Sequence, residues 1–484
     1  MASARKSIKT IAPRKVPMPH LSPESRSCSF DEVALGYTEE DAIAEASRCL
    51  SCARAKCVLA CPVSVDIPSF VSSVADGNFR EAYYTLNRSN ALPSICGRVC
   101  PQESQCEAEC VVGRALEEPV AIGRLERFVG DLAIERGWKG VASSEGASSP
   151  PPYSGRSGEG LRAAVVGSGP AGITCAVDLA RAGCDVTLYE ALHTAGGVLK
   201  YGIPEFRLPK RLIDAELGCL EELGVKVELN SVIGTLYGVE QLLGEMGYAS
   251  VFIASGAGYP TFMGIEGESL NGVCSANEFL TRVNLMKAYD GAYSDTPVGM
   301  GDRVAVIGSG NTAMDSCRVA LRLGAKSVCC IYRRSERECP ARAEELEHAK
   351  EEGVEFQWLA NPTRIIGDER GWVSAIECVE MELGEEDSSG RRRPLPVEGS
   401  EYLREVDTVI YAIGTSANPI IPRNTPGLAL NSRGYIEVDP DTQMSSLAGV
   451  FAGGDIVTGS ATVILAMGAG RKAAAAMLDY MSAD

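Results

Sequence analysis

Nine of the chain's 18 cysteines fall between Cys28 and Cys110, and eight of these form two tight runs. Cys49, Cys52, Cys57 and Cys61-Pro62 read C-x2-C-x4-C-x3-C-P, and Cys96, Cys100-Pro101, Cys106 and Cys110 read C-x3-C-P-x4-C-x3-C. Spacings this short let successive thiolates converge on one cuboidal iron–sulfur cluster. The proline after a ligand turns the chain away and removes an amide that would need a partner. Zinc is the competing metal, but its structural sites use pairs of C-x2-C and often histidine. Here there is one C-x2-C, and His20, His193 and His348 lie outside the cysteine region. The spacing predicts two [4Fe-4S] clusters, with the last cysteine of a run ligating the other cluster. The remaining cysteines, scattered from Cys175 to Cys378, read as buried thiols.

A second chemistry begins at Arg162. The apolar strand Arg162 to Val166 runs into Gly167-Ser168-Gly169-Pro170-Ala171-Gly172, followed by a helix through Ala182 and a strand Asp185 to Tyr189 ending in Glu190. The first glycine makes the turn, the second lets the backbone reach a pyrophosphate, and the third packs helix on strand. Glu190 stands where a carboxylate accepts from ribose hydroxyls. Near the end of the chain, Val450 to Asp455 (VFAGGD) precedes a helix starting at about Ala461. Asp455, after Gly454, can hold a ribityl hydroxyl, and that helix's N-terminus faces the negative charge of a reduced flavin. FAD is the cofactor expected here.

The pattern recurs at Val304 to Ile307 with Gly308-Ser309-Gly310-Asn311-Thr312-Ala313, a helix to about Leu323, and a strand Ser327 to Ile331. That strand leads to Tyr332-Arg333-Arg334 in place of an acid. A carboxylate would repel a 2′-phosphate, whereas Arg333 and Arg334 can bind it, so this site is predicted to take NADP(H). Solvated arginines are the alternative. Val251 to Gly258, containing Gly256, and Val409 to Thr415, containing Gly414, are apolar strands ending in small residues, suited to close backbone approach at crossovers between the two units.

The elements that must position these groups follow from composition. At 484 residues the chain predicts about three domains. Residues 1–140 read as a helical iron–sulfur unit with an N-terminal arm broken by Pro13, Pro17 and Pro19. Residues 141–160 (VASSEGASSPPPYSGRSGEG) read as a linker. A flavin-binding unit is expected over 161–292 and 416–484, and an NADP(H)-binding unit over 293–415. Thr38 with Glu39, Glu40 and Asp41 forms a capping box for a helix through Ala42, Ile43, Ala46 and Leu50 that delivers Cys49 and Cys52. A further helix is expected from about Phe79 to Leu86, packing Phe79, Ala82, Tyr83 and Leu86. A formal charge of −18 makes nucleic acid and anionic membranes poor partners. No apolar run reaches the roughly 18 residues of a membrane span. No secretory pattern follows the basic N-terminus, so a cytoplasmic location is expected.

The cysteine block joined to GSGPAG, GSGNTA and GGDI resembles the glutamate synthase small-subunit family over nearly the whole chain. This family includes the N-terminal half of dihydropyrimidine dehydrogenase and the large subunit of the electron-bifurcating NADH-dependent reduced ferredoxin:NADP+ oxidoreductase. VALGYTEEDAIAEASRCL, EEPVAIGRLERF and GGVLKYGIPEFRLPK look most like that last branch. The resemblance implies one cluster on Cys49, Cys52, Cys57 and Cys110. It implies a second on Cys61, Cys100 and Cys106 with a non-cysteine ligand matching Glu126. Cys96 would then be left over, whereas spacing alone makes Cys96 the eighth ligand. The alternative for Glu126 is an ordinary exposed helix residue. The resemblance also implies that Gly196-Gly197-Val198-Leu199 and Tyr201-Gly202-Ile203-Pro204 line the isoalloxazine, and that Ala461, Thr462 and Val463 meet its pyrimidine edge. Cys339 stands where most of the family has methionine before Pro340-Ala341-Arg342, which puts the contacts of that loop in question.

The expected fold is therefore α/β: a helical two-cluster domain followed by two Rossmann-like dinucleotide domains. Hydride transfer between nicotinamide and flavin needs stacked rings and no side-chain acid, so no catalytic acid or nucleophile is nominated. The leading functional expectation is the large subunit of a bifurcating ferredoxin:NADP+ oxidoreductase in a hetero-oligomer. Its partners would be a smaller FAD/[2Fe-2S] subunit handling NAD(H) and ferredoxin. The alternatives are the small subunit of NADPH-dependent glutamate synthase and a non-enzymatic electron relay, against which the intact Gly308 to Ala313 loop argues.

Overall fold

The computed structural model describes residues 8–140, 156–291, 294, 298–387 and 390–483. Residues 141–155, most of the expected linker, lie outside that set.

The N-terminal unit is helical. Thr38 caps Glu39–Ala46 with both bonds of the capping box: its hydroxyl accepts from Asp41 N, and the Asp41 carboxylate accepts from Thr38 N. This helix stops at Ala46 with Ser47 as its cap, so Leu50 lies beyond it, contrary to the spacing. Cys49 and Cys52 therefore sit on the loop after the helix, where the backbone is free to bend toward a shared ligand. The Phe79–Asn87 helix buries Phe79, Ala82, Tyr83 and Leu86 as expected. Helices Pro93–Val99 and Ile122–Glu135 cross in backbone contact. A Cβ on Gly97 would lie 2.4 Å from Arg127 N, and one on Gly130 would lie 2.5 Å from Ser94 N. That crossing brings the segment before Cys100 against Glu126.

The first dinucleotide unit is a parallel five-stranded sheet in the order Val450–Ala452, Ser250–Ile253, Arg162–Val166, Asp185–Tyr189, Lys226–Glu228. Helices Pro170–Arg181 and Val463–Met481 pack on each other against it, so closely that a Cβ on Gly470 would lie 2.1 Å from Ala171 O. One hydrophobic core runs from Phe70, Leu92 and Ile95 of the helical unit into Ile173, Leu188 and Met477 of this one. The two units are thus fused and not merely tethered.

The second unit is a parallel sheet in the order Val273–Ser275, Thr408–Tyr411, Arg303–Ile307, Ser327–Tyr332, Glu355–Trp358. Val273–Ser275 and the helix Ala276–Asn284 after it belong here, so the boundary expected at 292/293 falls too late. A strand of three residues carries no readable periodicity, and its partner lies far along the chain. An antiparallel sheet not foreseen from the sequence extends this unit: Ala360–Gly367, Val373–Glu386, Arg392–Pro396 and Tyr402–Glu405. The two dinucleotide units are joined by a two-residue ribbon in which Thr415 pairs with Pro260 and Ser416 with Tyr259, at the crossovers that the small-residue strand ends indicated.

The N-terminal arm crosses both units. Val33 N donates to Phe206 O at 3.0 Å. The Phe30 ring stacks on Tyr289 at 4.3 Å. Arg26, fully buried, pairs with Glu352 at 3.0 Å and with Glu351.

Candidate functional site

A single cleft of about 1300 Å³ lies between the two dinucleotide units and is bordered by both glycine loops. In the first loop Gly167 has φ +103°, and a Cβ there would lie 2.4 Å from Ala254 O. A Cβ on Gly172 would lie 1.8 Å from Gly167 O, so the third glycine lets the helix close on its own loop. A Cβ on Gly169 would meet nothing within 4 Å, because that position faces the cleft. Gly169 is also the N-cap of Pro170–Arg181, whose first amides are free for an anion. The second loop repeats this arrangement. Gly308 has φ +120° against Ala412 O at 2.2 Å, Gly310 is open and caps Asn311–Arg322, and buried Ala313 takes the place of the third glycine. Open glycines beneath helix N-termini fit two dinucleotide pyrophosphates.

Of the residues expected around the flavin, Gly167, Gly169, Pro170, Ala171, Glu190, Gly197, Val198, Gly202, Ile203, Gly256, Gly454, Asp455, Ala461, Thr462 and Val463 border the cleft. Gly172 lies behind it. Buried Glu190 accepts from Ser168 N at 2.9 Å, from Ser168 Oγ, and from Leu192 N at 2.8 Å, so it holds the glycine loop in shape from the second strand. Asp455 accepts from Ala461 N at 3.2 Å, and burial raises its carboxyl above the usual range. The segment Val198–Tyr201 to Leu208 is clamped by Lys210, whose Nζ donates to the carbonyls of Leu199 (3.1 Å), Leu208 (3.1 Å) and Ile203. Burial lowers that ammonium to about 7.

On the other side of the cleft stand Gly308, Gly310, Asn311, Thr312, Arg333, Arg334 and Gly414, with Ala313 buried behind. The two arginines differ. Arg333 is exposed. Arg334 is buried, with Nη2 2.6 Å from Asp387 Oδ2 and Nε donating to Arg392 O at 2.7 Å. Arg334 thus ties Asp387 and Arg392 to the end of the second strand, and of Arg391, Arg392 and Arg393 only Arg391 borders the cleft. No sequence signal separates Arg391 from its two neighbours. Cys339 donates to Ser309 O at 3.2 Å, beside the glycine loop.

The cysteine domain meets the same cleft through Val99 and Pro101, which flank Cys100. Pro62, next to Cys61, packs on the helix that borders the cleft, its carbonyl 2.9 Å from where a Gly468 Cβ would stand. Two groups of side chains gather behind these residues. Burial pushes the Cys57 thiol up to about 12, reinforced by neighbouring Cys49, Cys110 and Cys52. Burial pushes Cys61 up to about 11, with Glu126 and Cys96 adding to it. A hydrogen bond with Cys96 pulls Cys100 down, but burial outweighs it, together with Glu126, Cys106 and Cys61. Cys106 is raised by burial and by Glu107, Glu126 and Cys61, with Cys57 contributing from the other group. Glu126 is buried, accepts from Asn90 Nδ2 at 2.8 Å, and is raised to about 7 by desolvation, so it is not an exposed helix residue. Cys96 is fully buried near Asn90 Oδ1 (3.6 Å) and Met467 Sδ (3.5 Å). Among the described residues no group of three or more His, Cys, Asp or Glu converges as for a metal ion. A four-iron cube places each ligand on a different iron, so its ligands stand wider apart than those of one ion. Two groups of cysteine thiols, one with the Glu126 carboxylate among its neighbours, supply donors of the kind such clusters take.

A cysteine-rich helical unit fused to two pyrophosphate-cradling sheets around one cleft defines a flavin- and pyridine-nucleotide-dependent iron–sulfur oxidoreductase. Residues 26–138 match the family described as dihydropyrimidine dehydrogenase domain II, 4Fe-4S cluster, and residues 161–470 match pyridine nucleotide-disulphide oxidoreductase. The chain belongs to the glutamate synthase small-subunit-like family of these enzymes. It is 37% identical to the glutamate synthase [NADPH] small chain of Halomonas elongata, covering 94% of this chain and 94% of that one. It is 39% identical to the NADP(+)-dependent formate dehydrogenase subunit beta of Moorella thermoacetica, covering 88% of this chain but only 60% of that subunit. Mycobacterium tuberculosis FprA in complex with NADPH shares the fold at a TM-score of 0.57 and 20% identity, over 67% of this chain and 85% of that one. The chain is a flavin-dependent NAD(P)H oxidoreductase whose cofactors are FAD, NADP(H) and [4Fe-4S] iron–sulfur. Among the described residues no helix is long and apolar enough to cross a membrane.

Proposed function

We propose that this chain moves electrons between NADPH, FAD and two [4Fe-4S] clusters as one subunit of a hetero-oligomer. The observation that carries this reading is the shared cleft, bordered at once by both glycine loops and by Val99 and Pro101 around Cys100. Bound there, FAD supplies hydride acceptance and single-electron release, and the clusters conduct single electrons. The residues' part is placement. Gly169, Glu190 and Asp455 seat FAD, with Val198, Gly202 and Ile203 facing its ring. Gly310 and the Asn311–Arg322 helix take the NADP pyrophosphate, and Arg333 with Arg391 takes the 2′-phosphate, while Arg334 holds Arg392, next to Arg391. Cys61, Cys100, Cys106 and Glu126 form the cluster site beside the cleft. Cys49, Cys52, Cys57 and Cys110 form the site beyond it.

The finer reading is the large subunit of a bifurcating NADH-dependent ferredoxin:NADP+ oxidoreductase, supported by the segments around Cys49, Glu126 and Gly202. Its partners would be a smaller FAD/[2Fe-2S] subunit and ferredoxin, in the cytoplasm. A second reading, the small subunit of glutamate synthase, draws support from the match along nearly all of the Halomonas small chain. Isolation of the native complex separates the two. A companion of domain-pair size (about 250–300 residues) carrying FAD supports the first, and a very large FMN-containing companion sinks it. For the ligand set, Glu126→Ala is expected to lose one cluster's iron while Cys96→Ser keeps both. The reverse outcome would transfer the ligand role to Cys96.

A further inference from the structure

Besides the Thr415–Ser416 ribbon, a buried ionic contact joins the two dinucleotide units. Arg207 lies within the segment that Lys210 clamps, which also carries Val198, Gly202 and Ile203. Its Nη1 donates to both carboxylate oxygens of Asp315 at 2.8 Å, and its Nε lies 2.9 Å from Glu345 Oε1. All three side chains are more than nine-tenths buried, with exposures of 7%, 5% and 8%. Asp315 sits on the first turns of Asn311–Arg322, the helix whose N-terminus faces the second pyrophosphate position. Beside it, the Phe206 ring lies under the guanidinium groups of Arg322 at 3.9 Å and Arg318 at 4.7 Å. Arg318 also pairs with Glu345 and Glu352. A second tie runs the same way: Asn284 Nδ2, on the second unit, lies 3.2 Å from the carbonyls of Tyr201 and Gly202.

Buried ions are costly to keep and costlier to leave unpaired, so such a pair is weak evidence for stability and better evidence for one fixed arrangement. This one joins a rigid flavin-facing loop to the helix that seats the other nucleotide. We propose that Arg207, through Asp315 and Glu345, is a positioning residue that sets the separation of the two nucleotide sites. The inference rests on the NADPH-to-FAD reading above. A loop held by Lys210 and a helix held by its own sheet cannot slide past each other without breaking this contact. Misplacement of about 1 Å costs on the order of 100-fold in a reaction that depends on alignment.

The test compares the holo-protein with R207M, with R207M/D315N, which leaves no unpaired buried carboxylate at that position, and with R364A. Arg364 pairs at the surface with Glu377 at 3.1 Å. In stopped flow, bleaching of FAD by NADPH is expected to slow by roughly 10- to 100-fold in both Arg207 variants while the NADPH Kd moves by less than about threefold. Without nucleotide, amides of Asn311–Arg322 and of residues 198–208 are expected to exchange about tenfold faster in both variants, with the central strands unchanged. R364A should match the parent in both measurements. Rates in both Arg207 variants within about twofold of the parent, a Kd loss equal to the rate loss, or unchanged exchange would each overturn the proposal. So would failure of both variants to retain FAD where R364A retains it, because the contact would then build the flavin loop and not space it. Should the parent flavin not bleach with NADPH, the proposed function falls, and amide exchange still decides the role of Arg207.

Discussion

The two glycine-loop units are built on one plan, and they part at two positions. In the first, Gly172 lets the helix close so tightly that a methyl group would stand 1.8 Å from Gly167 O. In the second, Ala313 occupies the equivalent position and is accommodated, fully buried. The second strand of the first unit ends in Glu190, whose carboxylate is tied back to Ser168 and Leu192. The equivalent strand of the second ends in Arg333, exposed at the cleft, and Arg334, tied to Asp387. The same turn thus serves a closed, self-bonded seat on one side and an open, cationic one on the other. The two seats differ in the residue after the second strand and in the third loop position.

Gly172→Ala should break the comparison most severely. The added methyl collides with backbone that cannot yield, and the purified protein is expected to lack bound flavin by visible absorbance. A flavin-replete variant would show that the close approach is not required. Next in size, Arg333→Ala should weaken NADPH by roughly 10- to 100-fold, the worth of a hydrogen-bonded charge pair, with little effect on NADH. Arg391→Ala should do the same to a smaller extent. Equal losses for the two coenzymes, measured by titration, would remove the 2′-phosphate role.

A third prediction concerns how the first unit is fused to the cysteine domain. Glu216, on Lys210–Glu222, accepts from Ser94 N at 2.7 Å, and desolvation raises it to about 8 against the opposing Ser94 hydrogen bond, with Arg98 and Asp131 minor. Its folded value lies above its unfolded 4.5. The folded chain therefore binds the extra proton between these values, and its stability falls as pH rises through that window. Glu216→Gln should flatten that decline in denaturant melts between about pH 5 and 8, and an unchanged slope would count against a protonated Glu216. The smallest effect is expected from Ala313→Gly. It should cost about 1 kcal/mol of stability as a helical glycine and leave NADPH affinity alone, the opposite of its counterpart at Gly172.

Much of this was legible because local chemistry fixes local form. Arg162–Val166 and Asp185–Tyr189 fall at the positions that their apolar runs predict, and the Thr38 capping box starts its helix as read. Other features were not legible, because they depend on chain distant in sequence. The strand Val273–Ser275 has too few residues for a period and gains its identity only by pairing with Thr408–Tyr411. The antiparallel sheet from Ala360 to Glu405 carries no glycine fingerprint, yet it delivers Arg391 to the cleft. The two adjacent arginines at 333 and 334 are alike in sequence, and burial against Asp387 and the Arg392 carbonyl sets Arg334 apart.

By itself the sequence determined the chemistries: thiolates at cluster spacing, two glycine loops at helix starts, an acid after one strand and a base after the other. Each depends on residues within one turn or one strand–helix unit, where spacing dictates geometry. The tertiary structure decided how those chemistries meet. The backbone crossing at Gly97 and Gly130 sets Glu126 beside Cys61, Cys100 and Cys106. Pro101 borders the flavin cleft because one hydrophobic core joins the helical unit to the first sheet. Arg207 finds Asp315, 108 positions away, because burial of their charges is tolerable only when they are paired.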